Sequence, residues 1–258
     1  VSVLGLVPNM TCIKSLCEKY DVVLIEDVCE SLGSKYHSRM LGSFGELSFF
    51  SFYYGHHIST IEGGMVCTSN SKLNDVLLSM RSHGWDRDLS PDRQAEWRDK
   101  YNIDDFRAQY TFYYPGMNLR STDLQAFLGL NQIKKIEDFG NRRNENFFTY
   151  IELISEQGEE HNILNLEQPP NTFISNFCFP VVNRNKDVIV TELINKNIET
   201  RPLIAGSISK NPFWYNIYTQ TIPTPNCDLI DKSGFYVPNH QDLTLKNIQD
   251  IVNIICSS

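Results

Sequence analysis

The chain reads as an α/β protein with a mostly parallel sheet in its larger domain and a smaller α+β domain after it. Three observations lead there. The run Val22-Val23-Leu24-Ile25 is continuous and rich in β-branched residues, the pattern of a parallel strand covered on both faces. A helical segment precedes it, which makes a strand-helix-strand unit with what reads as a core strand at residues 1–6. The apolar runs also end on polar residues, Asp27 after the first and Ser51 within the second, and ligands of such sheets sit at the carboxyl ends of the strands.

In order, Asn9 or Thr11 caps a helix running to about Lys19, with Ile13, Leu16 and Cys17 on one face. The strand ending at Glu26 and Asp27 follows, then a turn-rich stretch over residues 36–43 and a second apolar strand over 47–52. Gly63-Gly64 leads into a strand at 65–68 and a helix over about 74–82. Residues 85–107 mix both charge signs with Pro91 and two Trp, which reads as a solvated excursion or as a loop near the mouth of a site. Residues 115–123 form a turn into a helix bearing Leu124, Phe127, Leu128, Leu130 and Ile133, and a second helix covers 144–155. The character changes at 157–162 and 168–171, so the expected division is a large domain over 1–157 and a small one over 158–258. The small domain reads as strand 174–182, helix 187–196, strand 199–203, a Pro-rich polar stretch and a final helix over 244–255.

With 258 residues, 41% of them hydrophobic and 21% charged, the chain has the composition of an ordered globular protein. A net charge of −8 argues against nucleic acid as a partner, while a few local arginines and backbone N–H groups still suffice for a small anion. The seven cysteines form no CxxC pair and read as reduced thiols of a cytosolic protein, and no metal site is expected. No apolar run reaches membrane-spanning length. The chain opens at Val1 directly on an apolar run, so a preceding N-terminal portion is expected.

An acid at the end of a strand caps a turn as readily as it serves a ligand, and Asp27 by itself leaves both readings open. Glu30, Ser51 and His56 fall at strand exits of the same expected sheet, which favours a site. An ionised carboxylate there can hold a proton on a pyridinium nitrogen, as pyridoxal chemistry requires. His56-His57 is a poor metal pair, because neighbours in an extended segment point to opposite faces.

The segments Leu24-Ile25-Glu26-Asp27, Phe44-Gly45, Ser51-Phe52-Tyr53-Tyr54-Gly55-His56-His57-Ile58, Glu62-Gly63-Gly64 and Pro115-Gly116-Met117-Asn118-Leu119-Arg120 together resemble the DegT-type sugar aminotransferase family, over essentially the whole chain. The resemblance implies a fold-type I pyridoxal phosphate enzyme, with on the order of a hundred further residues ahead of this point in the α/β domain. Family members normally carry, at the place of His56, the lysine that tethers the cofactor. The sugar 3-dehydratase branch instead carries His-His there, and Arg81-Ser82-His83-Gly84-Trp85, Arg201-Pro202-Leu203 and Asn239-His240-Gln241 are similar to that branch too. Its iron–sulfur members use a cysteine cluster that this sequence lacks.

On that resemblance the cofactor is pyridoxamine 5′-phosphate or pyridoxal 5′-phosphate, untethered, with His56 as acid and base in removing the C3 hydroxyl of a nucleotide-linked 4-keto-6-deoxyhexose. Asp27 is expected at the pyridine nitrogen, Ser51 at the phosphate, Glu30 near the ring and Asn118 at the phosphate across a homodimer interface. His83, Arg120, Arg201 and His240 are expected on the substrate side, each equally readable as a structural hydrogen-bonding residue. A glutamate-like amino donor would regenerate the amine. A C4 aminotransferase and a non-catalytic sugar-nucleotide-binding subunit remain the competing readings.

Overall fold

The computed structural model describes residues 1–158, 161–164 and 166–257, and the chain divides into two compact units interleaved in sequence. The first comprises Val1, residues 10–29 and residues 42–134; the second comprises residues 2–9, 30–41 and 135 onward. The 20-residue helix Ile136–Ser155, expected in the large domain, therefore lies in the second unit. Glu159 and Glu160, part of the expected boundary segment, lie outside the described residues.

The first unit is built on a three-stranded sheet of β1 (Ile25–Asp27), β4 (Leu47–Ser51) and β5 (Gly64–Cys67), in the order β1-β4-β5. Strand β1 runs parallel to β4, with Asp27 opposite Phe49, and β5 runs antiparallel, with Gly64 opposite Ser51. One of the two pairings is thus parallel. The strand expected at Val22 begins only at Ile25, and Val22, Val23 and Ile25 are 59%, 66% and 49% exposed rather than covered. The physical reason is local: the Val22 N–H donates to Cys17 O, continuing the end of helix α1 (Met10–Tyr20), so Val22 and Val23 never enter the ladder.

Helix α2 (Ser71–Arg81) starts where Asn70 accepts from the Lys72 and Leu73 N–H groups. The stretch read as a solvated excursion instead holds helices α3 (Pro91–Tyr101) and α4 (Asp105–Ala108) around a small core of its own. Trp97 is buried against Tyr113 and Tyr114, Leu89 is buried, and the fully buried Asp86 carboxylate takes the Arg98 Nε at 2.7 Å. An alternation of charges hid this core, because the pairing is between distant positions. Helix α5 (Asp123–Gln132) opens on a capping box between Thr122 and Gln125.

The second unit packs an antiparallel sheet, β7 (Cys178–Val182), β9 (Gly234–Pro238) and β8 (Arg201–Pro202), in the order β7-β9-β8. Pro180 lies on the edge strand β7, where a missing N–H costs no ladder bond. Strand β9 is central, although the sequence gave no expectation of it. Helix α6 (Ile136–Ser155) places Phe147 and Tyr150 in the core, with the Tyr150 ring stacked on Phe179 at 4.6 Å and its hydroxyl donating to Pro238 O at 2.9 Å. Helices α7 (Lys186–Asn195) and α10 (Leu245–Cys256) bury Ile189, Leu193, Ile248, Ile251, Val252 and Ile255. Helices α8 (Pro212–Ile217) and α9 (Pro225–Ser233) fill the stretch expected to be irregular. A second small sheet joins the hairpin β2 (Lys35–Tyr36) and β3 (Arg39–Met40) to β6 (Thr172–Phe173), its turn made by His37 and Ser38, both at positive φ.

Residues 1–6 form no strand. Leu4 (φ 53°) and Gly5 (φ 77°) turn the backbone left-handed, held by the Glu30 carboxylate, which accepts the Leu4 N–H at 2.7 Å, and by Ser34 Oγ, which donates to Gly5 O. Gly84 has a comparable role in the first unit. At φ 92° it lies against the Tyr114 carbonyl, where a Cβ would collide. Gly84→Ala is therefore expected to lower unfolding stability by about 2 kcal/mol or more, measurable by urea denaturation.

Candidate active site

Strand alternation decides which side chains meet. Glu26, Ser48 and Phe50 share one face of the β1-β4 pair, and Asp27, Phe49 and Ser51 share the other. Glu26 is buried and its carboxylate accepts three backbone N–H groups, from Gly42 at 2.7 Å, Phe44 at 2.6 Å and Gly45 at 2.7 Å. Glu26 thus ties down the loop that feeds β4, rather than standing at a functional edge. Asp27, one residue on, faces the opposite side at the exit of β1.

Asp27 Oδ1 accepts the Cys29 N–H at 3.1 Å, and its Oδ2 has no hydrogen-bond partner among the described residues. Ser51 Oγ accepts the Tyr53 N–H at 3.2 Å, which leaves the hydroxyl proton to donate elsewhere. His56 follows on the β4-β5 connection. That connection is ordered by hairpin bonds between Phe52 and Gly63, Phe52 and Thr60, and Tyr54 and Ile61. Helix α5 clamps it from below: Gln132 accepts the Ser59 N–H at 2.8 Å and donates to Ser59 O at 2.6 Å, while Gln125 donates to Glu62 O at 2.8 Å.

The His56 backbone N–H donates to Tyr53 O, and its ring meets the Tyr53 ring edge-on at 5.5 Å. Burial pushes the His56 imidazole below its ordinary value of 6.5, opposed by the Asp27 carboxylate, which favours the protonated ring. The imidazole is therefore mainly neutral at pH 7, able to accept a proton, with an anion close enough to steady the charge it then carries. His57 is buried beside Ile58 in the sequence, both 4% exposed.

A second group forms where residues 80–84 run beside 113–119. Ser82 bridges Asn118, the His83 N–H donates to Met117 O at 2.8 Å, and the Leu119 N–H donates to Arg81 O. Asn118 Oδ1 accepts from Arg120 Nε at 3.2 Å, leaving the amide N–H groups without a partner among the described residues. In the second unit, Glu30 anchors Leu4, Arg201 pairs with Glu199 at 2.6 Å on the surface, and His240 Nδ1 lies 3.3 Å from Asp242. Sequence reasoning missed Gln125 and Gln132. The spacing of Thr122 and Gln125 was a readable capping signature, whereas nothing in sequence links Gln132 to Ser59.

A carboxylate and a hydroxyl on one sheet face, with a histidine on the following turn, belong to the fold-type I architecture of pyridoxal phosphate enzymes. Solved structures of that architecture superpose on this chain. The chain belongs to the DegT/DnrJ/EryC1/StrS aminotransferase family, whose profile matches residues 1–256. Among its relatives, a GDP-4-keto-6-deoxy-D-mannose 3-dehydratase of Yersinia pseudotuberculosis is 32% identical, matched over 99% of this chain and 65% of the relative. The Escherichia coli O55:H7 enzyme of the same name is 32% identical over 93% of this chain and 62% of its own length. A solved GDP-4-keto-6-deoxymannose-3-dehydratase with a trapped PLP-glutamate geminal diamine superposes with a TM-score of 0.81 at 27% identity, covering 98% of this chain and 66% of that one. The chain thus spans about two-thirds of the length of the relatives it matches.

Two outcomes check this geometry. Glu26→Gln, which exchanges a charged acceptor of three amides for a neutral one, is expected to cost about 2–3 kcal/mol of unfolding stability, read from denaturant midpoints. In an NMR titration, His56 is expected to protonate below pH 6.5, and Asp27→Asn, which removes the charge that raises its value, is expected to move the midpoint lower still.

Proposed function

We propose that the complete protein is a pyridoxamine phosphate-dependent 3-dehydratase acting on a nucleotide-linked 4-keto-6-deoxyhexose, a GDP sugar in the first instance. The observation that carries the reading is His56. It occupies the place of the family's tethering lysine, at the end of the strand bearing Ser51, with a depressed proton affinity and the Asp27 charge nearby. The names of the relatives agree, and both the Yersinia and the E. coli proteins are 3-dehydratases by name.

The residues present fit the cofactor. Asp27 Oδ2 is open to a protonated ring nitrogen, Ser51 can donate its hydroxyl proton to a phosphate oxygen, and the Asn118 amide can donate to a phosphate in a homodimer. When bound, pyridoxamine phosphate supplies the amine that condenses with the C4 ketone and an electron sink for the charge left at its C4′ carbon. His56 removes the proton from that C4′ carbon and delivers it to the C3 hydroxyl as water departs. A lysine there would tether the cofactor and favour transamination, whereas an imidazole cannot form the tether and serves only the proton transfers.

His83 and Arg120 are proposed on the substrate side of the same unit. Glu30 near the ring, and Arg201 and His240 toward substrate, are proposed on family resemblance alone. A glutamate-type donor restoring the amine has support in the PLP-glutamate adduct of the solved relative. A cytoplasmic location is proposed with it, and no helix among the described residues is long and apolar enough to cross a membrane.

The test is incubation of the complete protein with pyridoxamine phosphate and a GDP-linked 4-keto-6-deoxyhexose, with products followed by mass spectrometry. A 3-deoxy product is expected, and His56→Asn is expected to lower its rate by about 10²- to 10⁴-fold with cofactor binding retained. The rate is expected to fall on the acid side as His56 protonates, below pH 6.5. An amino sugar that keeps its C3 hydroxyl would overturn the dehydratase reading in favour of C4 transamination.

A further inference from the structure

Residues 83–120 carry a cluster that the proton chemistry does not use. The Arg87 guanidinium carbon lies 3.7 Å from the centre of the Trp85 ring and 5.4 Å from that of Tyr110. The Arg120 guanidinium lies 5.7 Å from the Trp85 ring, and the His83 ring 4.7 Å from it. Phe112 stands nearly parallel to Trp85, at 19° and 6.3 Å. Phe112 and Tyr110 are 55% and 76% exposed, so their ring faces are open to solvent.

The charge around the cluster is one-sided. Asp86 and Asp88 are already compensated, by Arg98 at 2.7 Å and Arg81 at 3.0 Å. Arg87 donates to the Gln109 carbonyl and Arg120 to Asn118 Oδ1, and among the described residues neither is paired with a carboxylate. Two uncompensated guanidinium groups thus gather on one indole, in a chain whose net charge is −8. A single cation over an exposed ring is an ordinary surface feature. Two cations sharing a ring, with two further aromatic rings open beside them, match a ligand that is flat at one end and polyanionic at the other.

We propose that this cluster is the nucleoside diphosphate subsite. The base stacks on the exposed aromatic faces next to Trp85, and the diphosphate oxygens take paired N–H bonds from Arg87 and Arg120. Stacking is tolerant of base identity because every base has a π-face, so this subsite recognises the nucleotide as a class and leaves the choice of base to edge contacts. The proposal rests on the nucleotide-sugar reading above and specifies where the nucleotide half is held.

The experiment titrates GDP, UDP and inorganic diphosphate into the complete, cofactor-loaded protein by calorimetry. GDP and UDP are expected to bind. Trp85→Leu is expected to weaken both nucleotides about tenfold while leaving inorganic diphosphate within about twofold, because it removes stacking and no charge. Arg87→Gln, at an exposed position where folding is not at stake, is expected to weaken nucleotides and inorganic diphosphate alike, about tenfold. Nucleotide affinities within about twofold of the parent in Arg87→Gln overturn the subsite, as does an absence of GDP and UDP binding. Deoxygenation is scored separately. Nucleotide binding with this pattern but no loss of the C3 hydroxyl leaves the subsite standing and overturns the dehydratase reading, whereas deoxygenation with affinities indifferent to Arg87 overturns only the subsite.

Discussion

The candidate site depends on the buried Glu26 carboxylate. A carboxylate taken out of water needs several donors, and Glu26 finds three in the backbone of residues 42–45. Those bonds hold the loop entering β4 against the strand that Glu26 belongs to, and so support the pairing of Asp27 with Phe49. Alternation then leaves no choice: with Glu26 turned toward the loop, Asp27 and Ser51 must share the other face. A slip of one residue would turn Asp27 into the loop and Glu26 out to the site.

The histidine needs a different support, since a turn of this length has no ladder to fix it. Its order comes from the helix beneath it. Gln132 makes a two-point amide contact with the backbone of Ser59, and Gln125 holds Glu62, so the segment after His56 is tied to α5 at two places. Ile61, a β-branched residue at φ 72°, lies between those ties. Such a conformation persists only where surrounding bonds over-determine it, and here they do. The result is a half-buried imidazole that stays neutral near pH 7 and faces an anion, the combination that a proton shuttle requires.

The second unit reaches its order by another route. Its sheet and helices bury large side chains completely, Tyr150, Phe147, Phe179 and Phe235 among them. In the first unit, by contrast, the sheet strands and α5 expose Ile25, Met65, Leu124 and Phe127, and specific polar bonds carry more of the local definition. The polar groups that the sequence marks as functional are therefore concentrated where backbone-to-side-chain bonds decide geometry.

Much of this was legible in the sequence. Strand exits at Asp27 and Ser51, the replacement of a tethering lysine by His56, the helix after Thr122 and the small domain's first strand and last helix follow from patterns within a few residues of one another, and local patterns are what a sequence displays. The left-handed turn at Leu4, the exposed Val22 and Val23, the core around Trp97 and the central strand β9 did not, because each is fixed by partners far away in the chain: Glu30 for Leu4, Arg98 for Asp86, β7 for β9. The chemistry of the site was thus set by residue identity, a histidine where an amine is usual. The neutral state of that histidine, the division of labour between Glu26 and Asp27, and the gathering of Arg87 and Arg120 on Trp85 were decided only by tertiary structure, since burial, face and distance exist only once the chain has folded.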